Sequence, residues 1–389
     1  MRIVAKMNDP DRYCHTTTHR EWRRNDDSPI VVVMTSKIPV AKNAQALANR
    51  LTIESDGRCA RVVVFGLALA LAGPLLGGPA VSPRPNVVLI MPDDVSYPNF
   101  SAYRTDEPRT PHIDRLARQS VRLTDFHMSP TCSPTRAALL TGRYNNATGV
   151  WHTINGRNHL RSDEVTMAEV FRANDYRTAL CGKWHLGPNY PYRPDDRGFD
   201  HVATHGDGGI GQQHDPWGNS YLPPARFRVN DTFVPLTDED DGVPGAFASN
   251  FFTSRAIEWM RERADRRERF FLYLPYYAAH RPHQMPLDAR EGIDALTATI
   301  ENMDKNVGRV LAFLDESGLA NDTLLIFLTD NGHDGCFRGG KGSEFEGGVA
   351  VAGRTRSPDI QQLDGAIQNA IRRYPICEFA TSRKCDPKP

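Results

Sequence analysis

The chain has no excess of either charge and no regular cysteine pattern. Its 389 residues include 47 Lys and Arg side chains and 47 Asp and Glu side chains, so nothing indicates a nucleic-acid partner. Seven cysteines without paired spacing exclude a disulfide-rich scaffold. Hydrophobic residues make up 40% and charged residues 24%, which excludes a multi-span membrane protein and a wholly disordered chain. A core of this size needs no covalent or metal cross-link to fold.

The first 83 residues differ in composition from the rest. Residues 1–57 contain charged clusters without hydrophobic periodicity, and the sequence does not explain this N-terminal extension. Residues 58–83 begin with Arg58 and Arg61, continue with an apolar run over 62–72 and end in Gly and Pro pairs. This order is typical of a secretory signal, although a buried helix or a membrane anchor over residues 62–83 stays open. We therefore expect an exported protein, whether periplasmic, secreted or lumenal.

From residue 84, apolar runs alternate with helical patterns. Apolar runs over residues 86–91 and 270–274 predict strands, and the first is expected to be buried on both faces. Further strands are predicted over residues 177–181 and 323–328. Helices are predicted to begin at Pro111 and after Thr166, where Glu169 would complete a capping box. A longer helix is predicted from Ile293 to Leu314, with apolar residues at steps of three and four. Alternating strands and helices predict an α/β fold with a largely parallel central sheet flanked by helices.

Polar side chains follow the predicted strands, where ligands bind in parallel sheets. The first strand is followed by the carboxylates Asp93 and Asp94, and the last by Asp330 and Asn331. Lys183 and His185 follow the strand at 177–181, and His280 follows the strand at 270–274. Any single pair could be a helix cap or a turn. Carboxylate and amide oxygens from two strand ends are the ligands that Ca²⁺ or Mg²⁺ prefers. The sequence therefore predicts a cation site at this edge.

A cysteine at the start of a predicted short helix is the second candidate element. Cys132 precedes Arg136 by four residues, so it could be an activated thiolate beside a cation. It could equally be a buried free thiol, which is the more common environment of cysteine. The spacing does not distinguish the two.

Taken together and in order, these segments resemble the type I sulfatases. The resemblance covers about residues 84–349, and the motifs that carry it are Cys132-x-Pro134-x-Arg136 with Leu139-Leu-Thr-Gly-Arg143, Pro92-Asp-Asp, Gly182-Lys-Trp-His-Leu-Gly, His280-x-Pro282, Thr329-Asp-Asn-Gly, and Gly339-Gly-Lys with Glu346-Gly-Gly. It implies an alkaline-phosphatase-like α/β fold and arylsulfatase-type hydrolysis of sulfate esters. It also implies that a separate formylglycine-generating enzyme oxidises the motif cysteine to formylglycine.

The resemblance also implies which residues form the site. The expected ligands of a divalent cation, Ca²⁺ with Mg²⁺ as the alternative, are Asp93, Asp94, Asp330, Asn331 and the modified Cys132. The expected catalytic residues are Cys132, Arg136, Lys183, His185, His280 and Lys341. Lys183 and Lys341 would bind sulfate oxygens, and Arg136 would steady the nucleophile. His185 would assist deprotonation of the hydrate and His280 would hydrogen-bond the sulfate or leaving group, although these two roles could be exchanged.

The chemistry gives a reason for such a nucleophile. A hydrated aldehyde carries two hydroxyls on one carbon, of which one would attack sulfur and displace the alcohol. Loss of a proton from the other hydroxyl would then expel sulfate and restore the aldehyde. A divalent cation together with Arg and Lys would neutralise the charge that spreads over the sulfate. The expected partners are a sulfated small molecule or sulfated glycan and the formylglycine-generating enzyme.

The C-terminal residues 350–389 depart from the family pattern. They form an atypical tail where the family has a small C-terminal subdomain, so we expect that subdomain to be truncated. Residues 360–371 could form an amphipathic helix, and Cys377 could pair with Cys385. Two other functions stay open, namely a phosphonate or phosphate ester hydrolase of the same superfamily and an inactive relative that binds sulfated ligands.

One further motif is discounted. Residues 206–211 match the dinucleotide pattern GxGxxG, but no clear strand is predicted before them and Pro216 would interrupt a helix after them. We interpret this segment as a loop at the mouth of the pocket.

Overall fold

The computed structural model describes residues 84–103, 107–123, 126–212, 218–237, 245–333 and 337–357. The predicted extension over 1–57, the signal or anchor over 58–83, the tail helix and the Cys377–Cys385 pair lie outside these ranges. Within them, no helix is both long enough and apolar enough to cross a bilayer.

A single sheet of nine strands lies at the centre of the described residues. The strands are β1 (Asn86–Met91), β2 (Val121–Leu123), β3 (Arg177–Cys181), β4 (His201–Thr204), β5 (Arg226–Val229), β6 (Thr232–Pro235), β7 (Phe270–Pro275), β8 (Thr323–Leu328) and β9 (Gly353–Arg356). Their order across the sheet is β2-β9-β8-β1-β7-β3-β4-β5-β6. The central strands from β8 to β4 pair in parallel, and the pairs at both edges are antiparallel. The predicted largely parallel sheet is confirmed.

Strand β1 occupies the middle of the sheet because it is apolar along its whole length. Val88 lies opposite Leu272 of β7 on one side and Leu325 of β8 on the other. All six residues of β1 are buried, as expected for a strand covered on both faces. The four predicted strands are therefore present within a residue of their expected bounds.

Helices pack on both faces of the sheet. They are α1 (Pro111–Arg118), α2 (Cys132–Thr141), α3 (Met167–Ala173), α4 (Ala248–Asp265), α5 (Ala295–Glu316) and the single turn α6 (Glu346–Val349). The capping box of α3 is confirmed, because the Glu169 amide donates to Thr166 Oγ1 at 3.2 Å and the Thr166 amide donates to Glu169 Oε2 at 2.6 Å. Helix α4 was not predicted.

The two faces of β1 belong to two different hydrophobic clusters. Val88 and Ile90 pack in the cluster that contains buried residues of α1, α4 and α5. Val87, Leu89 and Met91 pack in the cluster that contains residues of α2 and α3. This alternation follows from the period of two along a strand, and it produces a three-layer α/β/α arrangement.

Helix α1 is joined to α5 by a buried carboxylate. Asp304 accepts the backbone N–H groups of His112 at 3.1 Å and Ile113 at 2.8 Å, which are among the unpaired donors of the first turn of α1. Burial raises the pKa of Asp304 to about 7, although the two backbone hydrogen bonds oppose this shift. One turn further along α5, Gly308 leaves room for the His112 ring, since a Cβ there would lie 2.5 Å from it.

The sheet extends into the residues that the sequence assigns to the tail. Strand β9 pairs with β8 and also with β2, both antiparallel. Residues 353–356 therefore complete this edge of the sheet.

Candidate active site

Cys132 is the first residue of α2 and is almost fully buried, with 1% of its surface exposed. Its Sγ lies 3.3 Å from Nδ1 of His185. The helix is positioned by Arg136, one turn further on, whose guanidinium donates to the backbone oxygen of Lys183 at 2.9 Å and to Oδ2 of Asp330 at 2.8 Å. The beginning of α2 is thus fixed to the ends of two strands, β3 and β8.

His185 presents a free ring nitrogen to Cys132. Its Nε2 lies 2.7 Å from the backbone oxygen of Thr153, and a carbonyl only accepts, so Nε2 carries the proton. Nδ1 is then the acceptor that faces the Cys132 side chain. Burial, with the nearby charge of Lys183 as a further cause, lowers the pKa of His185 to about 3. The imidazole is therefore neutral and can accept a proton from a group at position 132.

An oxygen-rich cluster surrounds the nucleophile position. One ligand atom each of Asp93, Cys132 and Asp330 lies within 4.8 Å of the others. Two buried side-chain oxygens of this cluster, Oδ1 of Asp93 and Oδ1 of Asn331, have no hydrogen-bond partner. Unpartnered buried oxygens are costly unless something else binds them. Their carboxylate and amide chemistry fits a hard divalent cation.

Positive side chains balance these carboxylates. Lys183 Nζ donates to Oδ2 of Asp93 at 2.5 Å. Burial would raise the pKa of Asp93, but Lys183, His280 and Arg136 outweigh it and hold that pKa well below its usual value. Burial and the charge of Asp93 raise the pKa of Asp330 well above its usual value. A bound cation would favour the ionised form of both carboxyls.

Asp94 belongs to the same polar cluster but contacts different partners. Its Oδ1 accepts from Nδ2 of Asn331 at 2.8 Å and its Oδ2 accepts from Nζ of Lys341 at 2.7 Å. Its backbone N–H donates to Oδ1 of Asp330 at 3.1 Å. Lys341 is therefore brought from a distant loop to the end of β1.

His280 lies on the other side of Asp94, and its ring is held at both nitrogens. Nδ1 donates to the backbone oxygen of Arg281 at 2.7 Å, and Nε2 lies 3.1 Å from the amide nitrogen of Gln212 and 3.8 Å from Oδ2 of Asp94. Burial, with Lys183 as the next cause, lowers the pKa of His280 to about 4. Gly209 lies against this ring, because a Cβ at that position would be 2.6 Å from it.

An open cleft of about 840 Å³ leads from these residues to the surface. It is lined by Asp94, Gly211, Gln212, His280, Arg281, Pro282, His333, Gly340 and Lys341. His280 is among the residues that line it. Residues 206–211 form a loop beside it, as interpreted from the sequence, but strand β4 does precede this loop, contrary to expectation.

The structure thus brings all ten sequence-predicted site residues to one edge of the sheet. Sequence reasoning missed the groups that hold the two histidines, namely the Thr153 carbonyl and the Gln212 side chain. Both belong to irregular loops far from the motifs, and no periodicity or spacing in the chain identifies them.

Comparison with known proteins agrees with this arrangement. A family model described as Sulfatase matches residues 85–362, well over half of the chain. The chain belongs to the sulfatase family, and such membership implies a divalent cation and a formylglycine. The expected alkaline-phosphatase-like fold is confirmed as well.

Individual relatives define the extent of the similarity. The chain is 33% identical to arylsulfatase A of Homo sapiens over 324 residues, which cover 73% of this chain and 60% of that protein. It therefore spans about 60% of that relative's length. The crystal structure of Ps i-CgsB in complex with k-i-k-neocarrahexaose is similar with a TM-score of 0.62 and 25% identity, over 71% of this chain and 66% of that one. The phosphonate monoester hydrolase of Agrobacterium radiobacter shares the fold, with a TM-score of 0.52 and 20% identity over 71% of this chain and 68% of that one.

Proposed function

We propose that this protein hydrolyses sulfate esters in the manner of an arylsulfatase, with a formylglycine derived from Cys132 and a divalent cation. The observation that carries the proposal is the position of Cys132. Its Sγ lies 3.3 Å from the unprotonated Nδ1 of His185 and within 4.8 Å of ligand atoms of Asp93 and Asp330. A base and a cation-binding cluster of carboxylates beside one side chain fit a nucleophile better than a structural thiol.

The metal ligands in this proposal are Asp93, Asp94, Asp330, Asn331 and the modified Cys132. The unpartnered buried oxygens of Asp93 and Asn331 support this assignment. A bound cation would supply a positive charge that acidifies the attacking hydroxyl and neutralises the sulfate oxygens. Ca²⁺ is our first choice and Mg²⁺ the alternative, because the ligand set is made of oxygens.

The formylglycine hydrate would supply two hydroxyls on one carbon. His185 would accept at Nδ1 from the hydroxyl that faces it, and the Thr153 carbonyl keeps the other ring nitrogen protonated. Arg136 keeps residue 132 in place through its hydrogen bonds to Lys183 and Asp330. The base is thereby oriented before substrate arrives.

Sulfate binding is assigned to Lys183, Lys341 and His280. Each lysine donates to one aspartate of the cluster, so both positive charges are adjacent to the position proposed for the sulfate. His280 faces the same cleft and has its Nε2 directed towards the amide of Gln212 and towards Asp94. The fixed charges of Lys183 and Lys341 would stabilise the charge that develops on sulfate oxygens. His280 is neutral, since burial lowers its pKa to about 4, so it would contribute a polar contact and no charge.

The alcohol part of the ester would occupy the cleft of about 840 Å³. A sulfated glycan or a sulfated small molecule fits such a volume, and the neighbour Ps i-CgsB binds a neocarrahexaose. We further propose that residues 84–349 together with strand β9 form the catalytic domain and that the residues after β9 are an atypical tail. A signal or anchor over residues 58–83, after an extension over 1–57, would direct export.

The test is coexpression with a formylglycine-generating enzyme, followed by peptide mass spectrometry over Cys132 and turnover of matched aryl sulfates and aryl phosphates. We expect an aldehyde at residue 132 and release of sulfate that depends on it. Cys132→Ala, expressed in the same way, is the matched control. An unmodified thiol with full activity would overturn the proposed nucleophile. Faster release of phosphate than of sulfate would favour a phosphate or phosphonate ester hydrolase. An aldehyde at residue 132 without any turnover would favour an inactive relative that binds sulfated ligands.

A further inference from the structure

We propose that Asp207 and Asn158 form a positioning pair that holds His185 in its tautomer and orientation beside residue 132. The expected effect on catalysis rests on the proposed function. The hydrogen bonds from which the pair is inferred are those of the chain with Cys132 unmodified. Asp207 lies inside the discounted glycine-rich loop 206–211.

The backbone around His185 needs support from its surroundings. His185 has a φ of 61°, in the left-handed region that residues with a side chain rarely adopt. Two hydrogen bonds hold the residues that follow it. The Leu160 amide donates to the Leu186 oxygen at 3.1 Å, and the Gly187 amide donates to Oδ1 of Asp207 at 2.9 Å.

The ring of His185 is held by a different segment. Its Nε2 donates to the Thr153 oxygen, in a turn over residues 151–158 that is closed by hydrogen bonds from the amides of residues 151 and 152 to the Arg157 oxygen. Asn158 ends this turn and is buried, with 2% of its surface exposed. Its Nδ2 donates to Oδ2 of Asp207 at 2.5 Å.

One carboxylate therefore joins the two segments that hold the same imidazole. Oδ1 of Asp207 fixes the backbone two residues after His185, and Oδ2 fixes the turn whose carbonyl sets the ring proton. If this connection is lost, the Thr153 oxygen can move from Nε2, and Nδ1 is no longer directed at residue 132. Neither Asp207 nor Asn158 is among the described residues that line the cleft. Substitution of either residue should therefore leave the contacts with substrate unchanged.

The decisive variant is Asn158→Asp. Two carboxylates then face each other, neither can donate, and the connection to the turn is broken, while Oδ1 of Asp207 can still accept from Gly187. We expect kcat for an aryl sulfate to fall about 10- to 100-fold, as for loss of other groups that orient a catalytic side chain. KM should stay within about twofold because the cleft is untouched.

The matched control is the double variant Asp207→Asn with Asn158→Asp. It restores the hydrogen bond with donor and acceptor exchanged, so kcat should recover to within a few-fold of the wild-type value. Asp207→Asn alone should lower kcat less, because the Asn158 amide can turn over and accept from the new amide. If Asn158→Asp does not fold, Asn158→Ala, which removes only the connection to the turn, takes its place.

A second readout does not depend on turnover. In protein labelled with ¹⁵N-histidine and with Cys132 unmodified, the His185 ring signals, assigned by their loss in His185→Gln, should show the Nε2–H tautomer. Asn158→Asp should shift these signals towards a mixture, and the double variant should restore them. Unchanged kcat and unchanged tautomer in folded Asn158→Asp, or a double variant that recovers neither, would overturn the inference. A tautomer that responds in a protein without sulfatase activity would refute the proposed function and leave the positioning role standing.

Discussion

A methyl group at Gly209 tests whether His280 must keep its position for turnover. In Gly209→Ala the new Cβ would lie 2.6 Å from Cε1 and Nδ1 of the His280 ring, while ordinary contacts begin at 3.4 Å. The ring must therefore retreat by about 0.8 Å, the difference of these two distances. Gly209 is not in the left-handed region, so alanine introduces no backbone strain and the effect is confined to this contact.

A displacement of about 1 Å in a catalytic group lowers the rate about 10²-fold, or about 2.7 kcal/mol in the activation barrier. The assay is turnover of an aryl sulfate by the protein coexpressed with the formylglycine-generating enzyme. Gly308→Ala is the matched control, because its Cβ would lie 2.5 Å from the ring of His112, outside the site. It should lower the melting temperature without lowering kcat. Full turnover by a folded Gly209→Ala variant would refute the reasoning about His280.

Three further predictions follow from contacts described above. Lys341→Met removes the donor to Asp94 and a positive charge next to the proposed sulfate, so kcat/KM for an aryl sulfate should fall about 10²-fold. An unchanged kcat/KM would show that Lys341 does not take part in sulfate binding. Chelation should abolish turnover and lower the free energy of unfolding by about 2.7 kcal/mol relative to protein with the cation at 100 times its Kd, and adding Ca²⁺ should reverse both. Asp304→Asn should cost about 1 kcal/mol of unfolding free energy at pH 5 through loss of the connection to α1. The raised pKa of Asp304, about 7 in the folded state, means that its protonated form stabilises the wild type below pH 4 and that this contribution is lost as the pH rises through 7. Urea unfolding should therefore find a smaller difference between variant and wild type at pH 8 than at pH 5.

The centre of the fold could be predicted because its signals are local. Residues 86–91 are an uninterrupted apolar run, and such a run is what a strand between two helical layers requires. The long helix α5 was predicted within two residues of each observed end from its apolar period. The edge strands β4, β5 and β6 are short and carry charged or polar residues, such as Arg226 and Thr232, so their formation depends on pairing that the sequence does not display.

Helix α4 was missed for a different reason. Its first turns, from Ala248 to Ser254, are buried on all sides, so they lack the alternation of apolar and polar faces from which helices are predicted. The residues of the candidate site were easier to predict than helix α4, because residues that follow parallel strands lie at the same edge of the sheet. The groups that orient its histidines come from loops such as 151–158, and their hydrogen bonds depend on tertiary contacts alone.

The position of β1 also has a consequence for synthesis of the chain. Val88 pairs with Leu272 and Leu325, so β1, the first of the described strands to leave the ribosome, cannot pair with either neighbour until those later residues have been synthesised. During that interval its apolar edge is open to pairing with other nascent chains. Such long-range contacts also slow folding. Refolding from denaturant should therefore be slow and lose material to aggregation at micromolar concentration, and a chaperone that covers strand edges should raise the yield.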